Sequence, residues 1–246
     1  MTPQERARER TLIGLGLRAA LAPLFRLLRP RMSEAEWRAM VEAAYPAVYR
    51  ARMDYWRLAE RAYRQERERV LGIVGPVEFP RRNYPPEALD QGLRETVKNR
   101  LDLLEPDDPV PPVVVEDALE TVDRHAKAAG RDAQVDAARH DPRALGYARR
   151  VTGAYTCAFC TMLSSRGPIY RSASAALIRH EGGVATGEPY HDGCDCEAVP
   201  VFDRNNWEGR EQYEELSRLW EEHGGTLQSW RRYIEGQRDE QQRRAA

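Results

Sequence analysis

The four cysteines of this chain are confined to one stretch, Cys157 to Cys196. They stand as two pairs. Cys157-Ala158-Phe159-Cys160 comes first, and after a long intervening segment comes Cys194-Asp195-Cys196, with His191 just ahead of it. A Cys-x-x-Cys knuckle can turn two thiolates towards one metal ion. A second Cys/His cluster, carried back by a loop, can complete a tetrahedral Zn²⁺ shell. Cys157, Cys160, His191, Cys194 and Cys196 are then five candidates for about four places, and spacing does not say which is left out. The segment they close has few large apolar residues. A structural zinc ion would offset its loop-closure entropy.

Other uses of paired cysteines fit less well. Disulfide scaffolds are cysteine-dense and secreted, whereas here 4 cysteines serve 246 residues and no signal peptide is read. A redox Cys-x-x-Cys normally follows a strand in a βαβ unit, and nothing here alternates that way. A zinc deaminase needs a His-x-Glu element ahead of Pro-Cys-x-x-Cys. Here the Cys-x-x-Cys comes first and His-x-Glu is absent.

The same stretch resembles a known family. Cys157-Ala158-Phe159-Cys160 is followed by Met162-Leu163-Ser164-Ser165-Arg166-Gly167-Pro168-Ile169-Tyr170. Tyr190-His191-Asp192-Gly193-Cys194-Asp195-Cys196 and Val199-Pro200-Val201-Phe202 follow. This pattern is similar to that of the phage Mu F-like minor head proteins, in the branch found in tailed phages of actinobacteria. Asp141 to Arg149 extends the likeness weakly towards the N-terminus. The resemblance implies a minor component of the virion head near the portal, acting in head morphogenesis or genome delivery. Its implied partner is the portal protein, with scaffold or major capsid protein as further neighbours.

The rest of the chain reads as helical. Residues 1–32 form a basic amphipathic arm, in which Arg6, Arg8, Arg10, Arg18, Arg26, Arg29 and Arg31 outnumber Glu5 and Glu9. Leu17, Leu21, Leu24 and Leu28 recur at helical spacing on one face. Such an arm can lie on a membrane surface, dock into a groove on a partner or contact packaged DNA, or it can pack on its own domain. Residues 33–112 form a helical region opened by the capping box Ser33-Glu34-Ala35-Glu36. Pro46 is expected to kink or split its first helix. Gly72 to Pro86 is a breaker-rich connection, and Pro86 starts a helix to about Leu104. The acidic, Pro-rich run Glu105 to Pro112 is a candidate domain boundary.

Residues 113–202 carry helices interrupted at Gly130, a short helix from Asp141 to about Arg150, and the Cys/His module. His125 and His140 are expected on the solvated surface. Within the module, short strands are expected at Arg150 to Tyr155, Ile169-Tyr170 and Glu197 to Phe202. A brief helix is expected from Ser172 to His180. Residues 203–246 form two C-terminal helices broken at Gly224-Gly225. The fold class is therefore mainly α: long N-terminal helices, a small α+β module stapled by zinc, and C-terminal helices.

Composition narrows the function. The formal net charge is −1, so bulk charge does not call for a nucleic-acid partner. Lys98 and Lys127 are the only lysines among 38 basic residues, so arginine, with its bidentate geometry, supplies almost all the cation. No apolar run approaches the roughly 18–20 residues of a membrane span. Paired cysteines without an export signal fit synthesis in a cytosol, and the resemblance implies a phage host as that cell and the virion head as the destination. No Gly-x-Ser-x-Gly elbow or phosphate-binding glycine loop is present, and Ser164 and Ser165 have no identifiable partners for a triad. A structural protein without catalytic residues is expected. A capsid-maturation protease or other hydrolase centred on the Cys/His cluster, and a nucleic-acid-binding protein using the basic arm, are the alternatives.

Overall fold

Helix α1 (Pro3–Phe25) starts at a capping box, in which Thr2 accepts from the Glu5 backbone while Glu5 accepts from the Thr2 backbone. The structure, a computed structural model, describes residues 1–153, 157–168, 194 and 196–245. The helices that follow are α2 (Glu34–Leu71), α3 (Pro86–Leu93), a π-helical turn (Arg94–Lys98), α4 (Asn99–Leu101) and α5 (Pro112–His140). Then come β1 (Gly146–Val151), α6 (Ala158–Ser164), β2 (Cys196–Val201), α7 (Arg210–His223) and α8 (Leu227–Ala245). The protein is mainly α, with one two-stranded antiparallel sheet among the described residues.

The chain divides into two compact units. One holds Met1–Glu60 and Arg81–Ala133, and the other holds Arg61–Pro80 and the described residues from Gln134 onward. The Pro-rich run 105–112 lies inside the first unit. The divisions fall within α2, within α5 and in the 72–86 connection.

The first unit buries Leu17, Leu21, Phe25 and Leu28 with Trp37, Val48, Leu89, Leu93, Val97, Leu101, Val122 and Ala126. The leucine stripe of the basic arm is therefore core, and the arm is a helix on its own unit. Leu21 is 2% exposed, and Leu24 packs part-buried against the same cluster. A stripe so used is not available as an anchor for a partner. Several arginines of this segment also have carboxylate partners: Arg18 pairs with Glu116, Arg29 with Glu36, and Arg31 with Glu105.

Helix α2 begins as expected, with Ser33 Oγ accepting from the Glu36 backbone and Glu36 accepting from the Ser33 backbone. It does not break at Pro46. Proline removes one helical hydrogen bond and costs ~3 kcal/mol. Burial of Trp37, Met40, Val41, Ala44 and Val48 on the same helix outweighs that cost. Trp37 is also held by its Nε1, which donates to Asp90 at 2.7 Å. Along the same helix Trp56, Leu58 and Tyr63 are buried as the apolar pattern predicts, while Tyr49 is exposed.

Gly130 likewise fails to interrupt α5, and packing gives the reason. A Cβ there would lie 2.9 Å from the Tyr55 carbonyl oxygen of α2. The glycine lets the two helices of this unit approach. Gly130→Ala sets a helix-propensity gain of about 1 kcal/mol against overpacking of about 1–3 kcal/mol. We expect a net loss of about 1–2 kcal/mol in urea unfolding, because backbone cannot swing away as a side-chain tip can. A variant more stable than the parent would show that the contact relaxes freely.

His125 is not on the surface. It is half-buried, and its Nδ1 meets the Tyr84 hydroxyl at 2.9 Å. Arg52 lies over the Tyr84 ring at 3.7 Å, which makes this a packed polar corner of the first unit. His140 is exposed, as expected.

In the second unit the segment after α5 is not a helix. Asp141 Oδ1 accepts from the Arg143 backbone, which turns the chain, and Asp141 Oδ2 takes Arg67 Nε at 2.8 Å. Gly146, at φ 146, opens β1, which pairs antiparallel with β2 in the register Gly146↔Val201 to Val151↔Cys196. A β-ribbon covered on both faces favours strand over an isolated turn of helix here. One face carries Tyr147 and Ala198, packed with Tyr63, Val135, Ala138 and Phe202. The other carries Ala148, Val199 and Val201, packed with Trp207.

Helices α7 and α8 close over α6. Trp230 is fully buried against Ala158, Met162 and Leu163, and its Nε1 donates to Thr161 Oγ1 at 2.9 Å. The strand expected at Ile169-Tyr170 and the helix expected from Ser172 to His180 lie outside the described residues.

Candidate metal centre

Two elements of the second unit deliver the cysteines. Helix α6 begins at the knuckle, with Cys157 as its N-cap, and the Cys157 sulfur accepts the Cys160 backbone N–H at 3.3 Å. That bond fixes the turn and places Cys160 one turn into the helix, 1% exposed. Strand β2 begins at Cys196, with Cys194 just ahead of it, and both are buried. The second pair thus stands at the head of the strand expected from Glu197 to Phe202.

The sulfurs meet. Cys160 Sγ lies 3.4 Å from Cys194 Sγ, and Cys194 Sγ lies 3.3 Å from Cys196 Sγ. All four cysteines are free thiols, and these separations far exceed a disulfide bond of about 2.05 Å. Cys160, Cys194 and Cys196 form a buried group with ligand atoms within 4.8 Å of one another. Cys157 stands beside them through its contact with Cys160. A tetrahedral thiolate shell with metal–sulfur bonds of ~2.3 Å has sulfur–sulfur edges of about 3.8 Å. The cluster would need to open by only about half an ångström to admit such an ion. His191, the fifth candidate, lies outside the described residues.

Burial of Cys160, Cys194 and Cys196 differs from the exposed setting of redox or nucleophilic cysteines. Hydrogen bonds with the Cys157, Cys194 and Cys196 thiols, in that order, and then burial push the Cys160 thiol well above its ordinary value. For Cys196 the hydrogen bond with Cys160 pulls down. The bond with Cys194 and burial outweigh it, and the thiol is pushed up to about 11. Reactive cysteines are exposed and have depressed pKa values. Thiols like these ionise when a metal cation displaces their protons.

Ser164 and Ser165 are buried at the end of α6, where the Ser165 hydroxyl donates to the Met162 carbonyl at 2.8 Å. Ser165 therefore serves the end of the helix. One residue at the centre escaped the sequence reading. Arg149 on β1 is 2% exposed, and its Nη1 lies 3.5 Å from Cys196 Sγ. The signal for it was strand alternation opposite Cys196. An expected helix over the same residues concealed it.

Fold and site together define a mainly helical protein with a buried cysteine cluster that can hold a metal ion. The chain belongs to the VG15 protein family, whose sequence profile matches residues 7–223. It is 31% identical over 218 residues to the Gene 15 protein of Mycobacterium phage D29, covering 78% of this chain and 77% of that one. It is 28% identical over 256 aligned residues to the Gene 15 protein of Mycobacterium phage L5, covering 89% of this chain and 84% of that one. The family is thus a phage protein family. No solved structure matches the chain. No helix among the described residues is long and apolar enough to cross a membrane.

Proposed function

We propose that this protein is a minor structural component of a tailed-phage head, bound near the portal and acting in head morphogenesis or genome delivery. The observation that carries the reading is the Cys157–Cys196 segment, whose residues resemble the Mu F-like minor head proteins. The match to phage gene 15 proteins supports the phage setting. Portal protein is the proposed main partner, with scaffold or major capsid protein as neighbours.

The metal proposed for the cluster is zinc in a closed structural shell. Soft thiolates close to tetrahedral spacing suit it, and the burial of Cys160, Cys194 and Cys196 favours a closed shell over an open catalytic position. Cys160, Cys194 and Cys196 are three of the ligands, and the fourth comes from Cys157 or His191. Zinc bound there would cross-link α6 to the start of β2 and hold the module rigid.

The test is a phage whose copy of this gene carries a nonsense mutation. Virions of the parent should contain the protein at far lower abundance than the major capsid protein, and affinity-tagged portal should bring it down. Mutant particles should be few or non-infectious. Normal numbers of fully infectious virions from the mutant, or absence of the protein from parental virions, would overturn the reading.

A further inference from the structure

Strand β1 places two arginines in succession on opposite faces of the ribbon. Arg150 faces the side of its direct cross-strand partner Glu197 and pairs with both Glu197 and Glu208. Its cation is matched by carboxylates. Arg149 faces the other side, diagonal to Cys196, because Val151 is the residue paired with Cys196 and Arg149 pairs with Ala198. Its guanidinium is withdrawn from water and reaches the sulfur of Cys196. Helix α6, which bears Cys160, packs on the same strand.

We propose that Arg149 is the built-in counter-ion of the metal–thiolate centre. The inference rests on the metal reading above and holds whichever fourth ligand completes the shell. Zn²⁺ with four thiolates carries two net negative charges, and with three thiolates and a histidine it carries one. Either is a buried anion beside a buried guanidinium. Arg149 supplies the opposite charge, and its N–H donates to the sulfur that bears it. This is the role that partners beyond the direct ligands play at metal sites, where they orient a ligand and tune its basicity. A lysine would bring the charge without the planar fork. The guanidinium thus stands where thiolate charge develops as the ion displaces the cysteine protons.

The test uses the full chain as wild type, Arg149→Met and Arg149→Lys, each titrated with zinc against a chromophoric chelator and reconstituted with Co²⁺. Arg149→Met removes charge and donor at similar length. Its zinc affinity should fall about 10–100-fold. Its thiolate-to-cobalt charge-transfer band should move to longer wavelength, because a sulfur that has lost an N–H donor gives up electron density more easily. Arg149→Lys should recover most of the affinity and part of the band shift. Should Arg149→Met fail to fold, Arg149→Gln, which loses the charge and keeps an N–H donor, takes its place: a loss of affinity of about 10-fold or more supports the counter-ion, and wild-type affinity overturns it. Equal affinity and equal spectra in wild type and Arg149→Met also overturn it, while leaving the metal centre intact. A wild-type chain that takes up neither zinc nor cobalt overturns the metal reading itself, and this inference with it.

Discussion

Cys160→Ser is expected to lose its metal and, with it, much of the stability of the second unit. Cys160 is the hub of the cluster. Its sulfur contacts Cys194, its backbone N–H bonds Cys157, and it is almost wholly buried. A serine hydroxyl is a hard, poor zinc ligand and leaves the shell incomplete. Among the described residues the apolar clusters of this unit are small and separate, so a bound metal would carry a large share of its stability. With free zinc held at 1,000 times Kd the ion contributes about 4 kcal/mol. At about 2–4 °C per kcal/mol, melting should fall by about 8–16 °C. Elemental analysis of parent protein purified without chelator should give close to one zinc per chain. The variant should give almost none. Hydrogen exchange should show protection lost along β1, α6 and β2 and kept around Trp37 and Leu89. A variant with parental zinc content and melting temperature would exclude a structural metal here.

Leu21→Asp is expected to cost the free protein more than 4 kcal/mol, on the order of the worst single substitutions known. Leu21 sits among Leu17, Phe25 and Leu28 in the core of the first unit, where a carboxylate would be withdrawn from water into an apolar cluster. It would have to be protonated, or the helix would have to leave its groove. A paired control separates this from any role in docking. Leu12 and Leu15 are on the same helix but 59% and 57% exposed. Leu12→Asp with Leu15→Asp should stay within about 0.5 kcal/mol of the parent for each substitution. Urea unfolding of the three chains settles the matter. An unchanged midpoint in Leu21→Asp would mean that the leucine stripe is surface, as a docking arm requires.

What the sequence determined by itself was chemistry and period. The Cys-x-x-Cys knuckle, with the second cysteine pair at the head of a strand, could be read because ligand spacing and strand alternation are local properties. The Ser33 capping box, the start of α3 at Pro86 and the C-terminal helix pair broken at Gly224-Gly225 were legible for the same reason. Each is written in a few adjacent residues. The tertiary structure alone decided where those local preferences lose. Pro46 and Gly130 sit in unbroken helices because burial along α2, and the approach of α5 to Tyr55, outweigh a missing hydrogen bond and a flexible backbone. Residues 146–151 are strand because a partner eventually reached from far along the chain satisfies their backbone. Leu17 and Leu21 of α1 are core because other elements of the same unit pack over them. Arg149 belongs to the cysteine cluster because the register of β1 on β2 sets it diagonal to Cys196. Contacts between residues distant in sequence carry no local signature, so only the folded chain reveals which of two permitted local structures is stabilised.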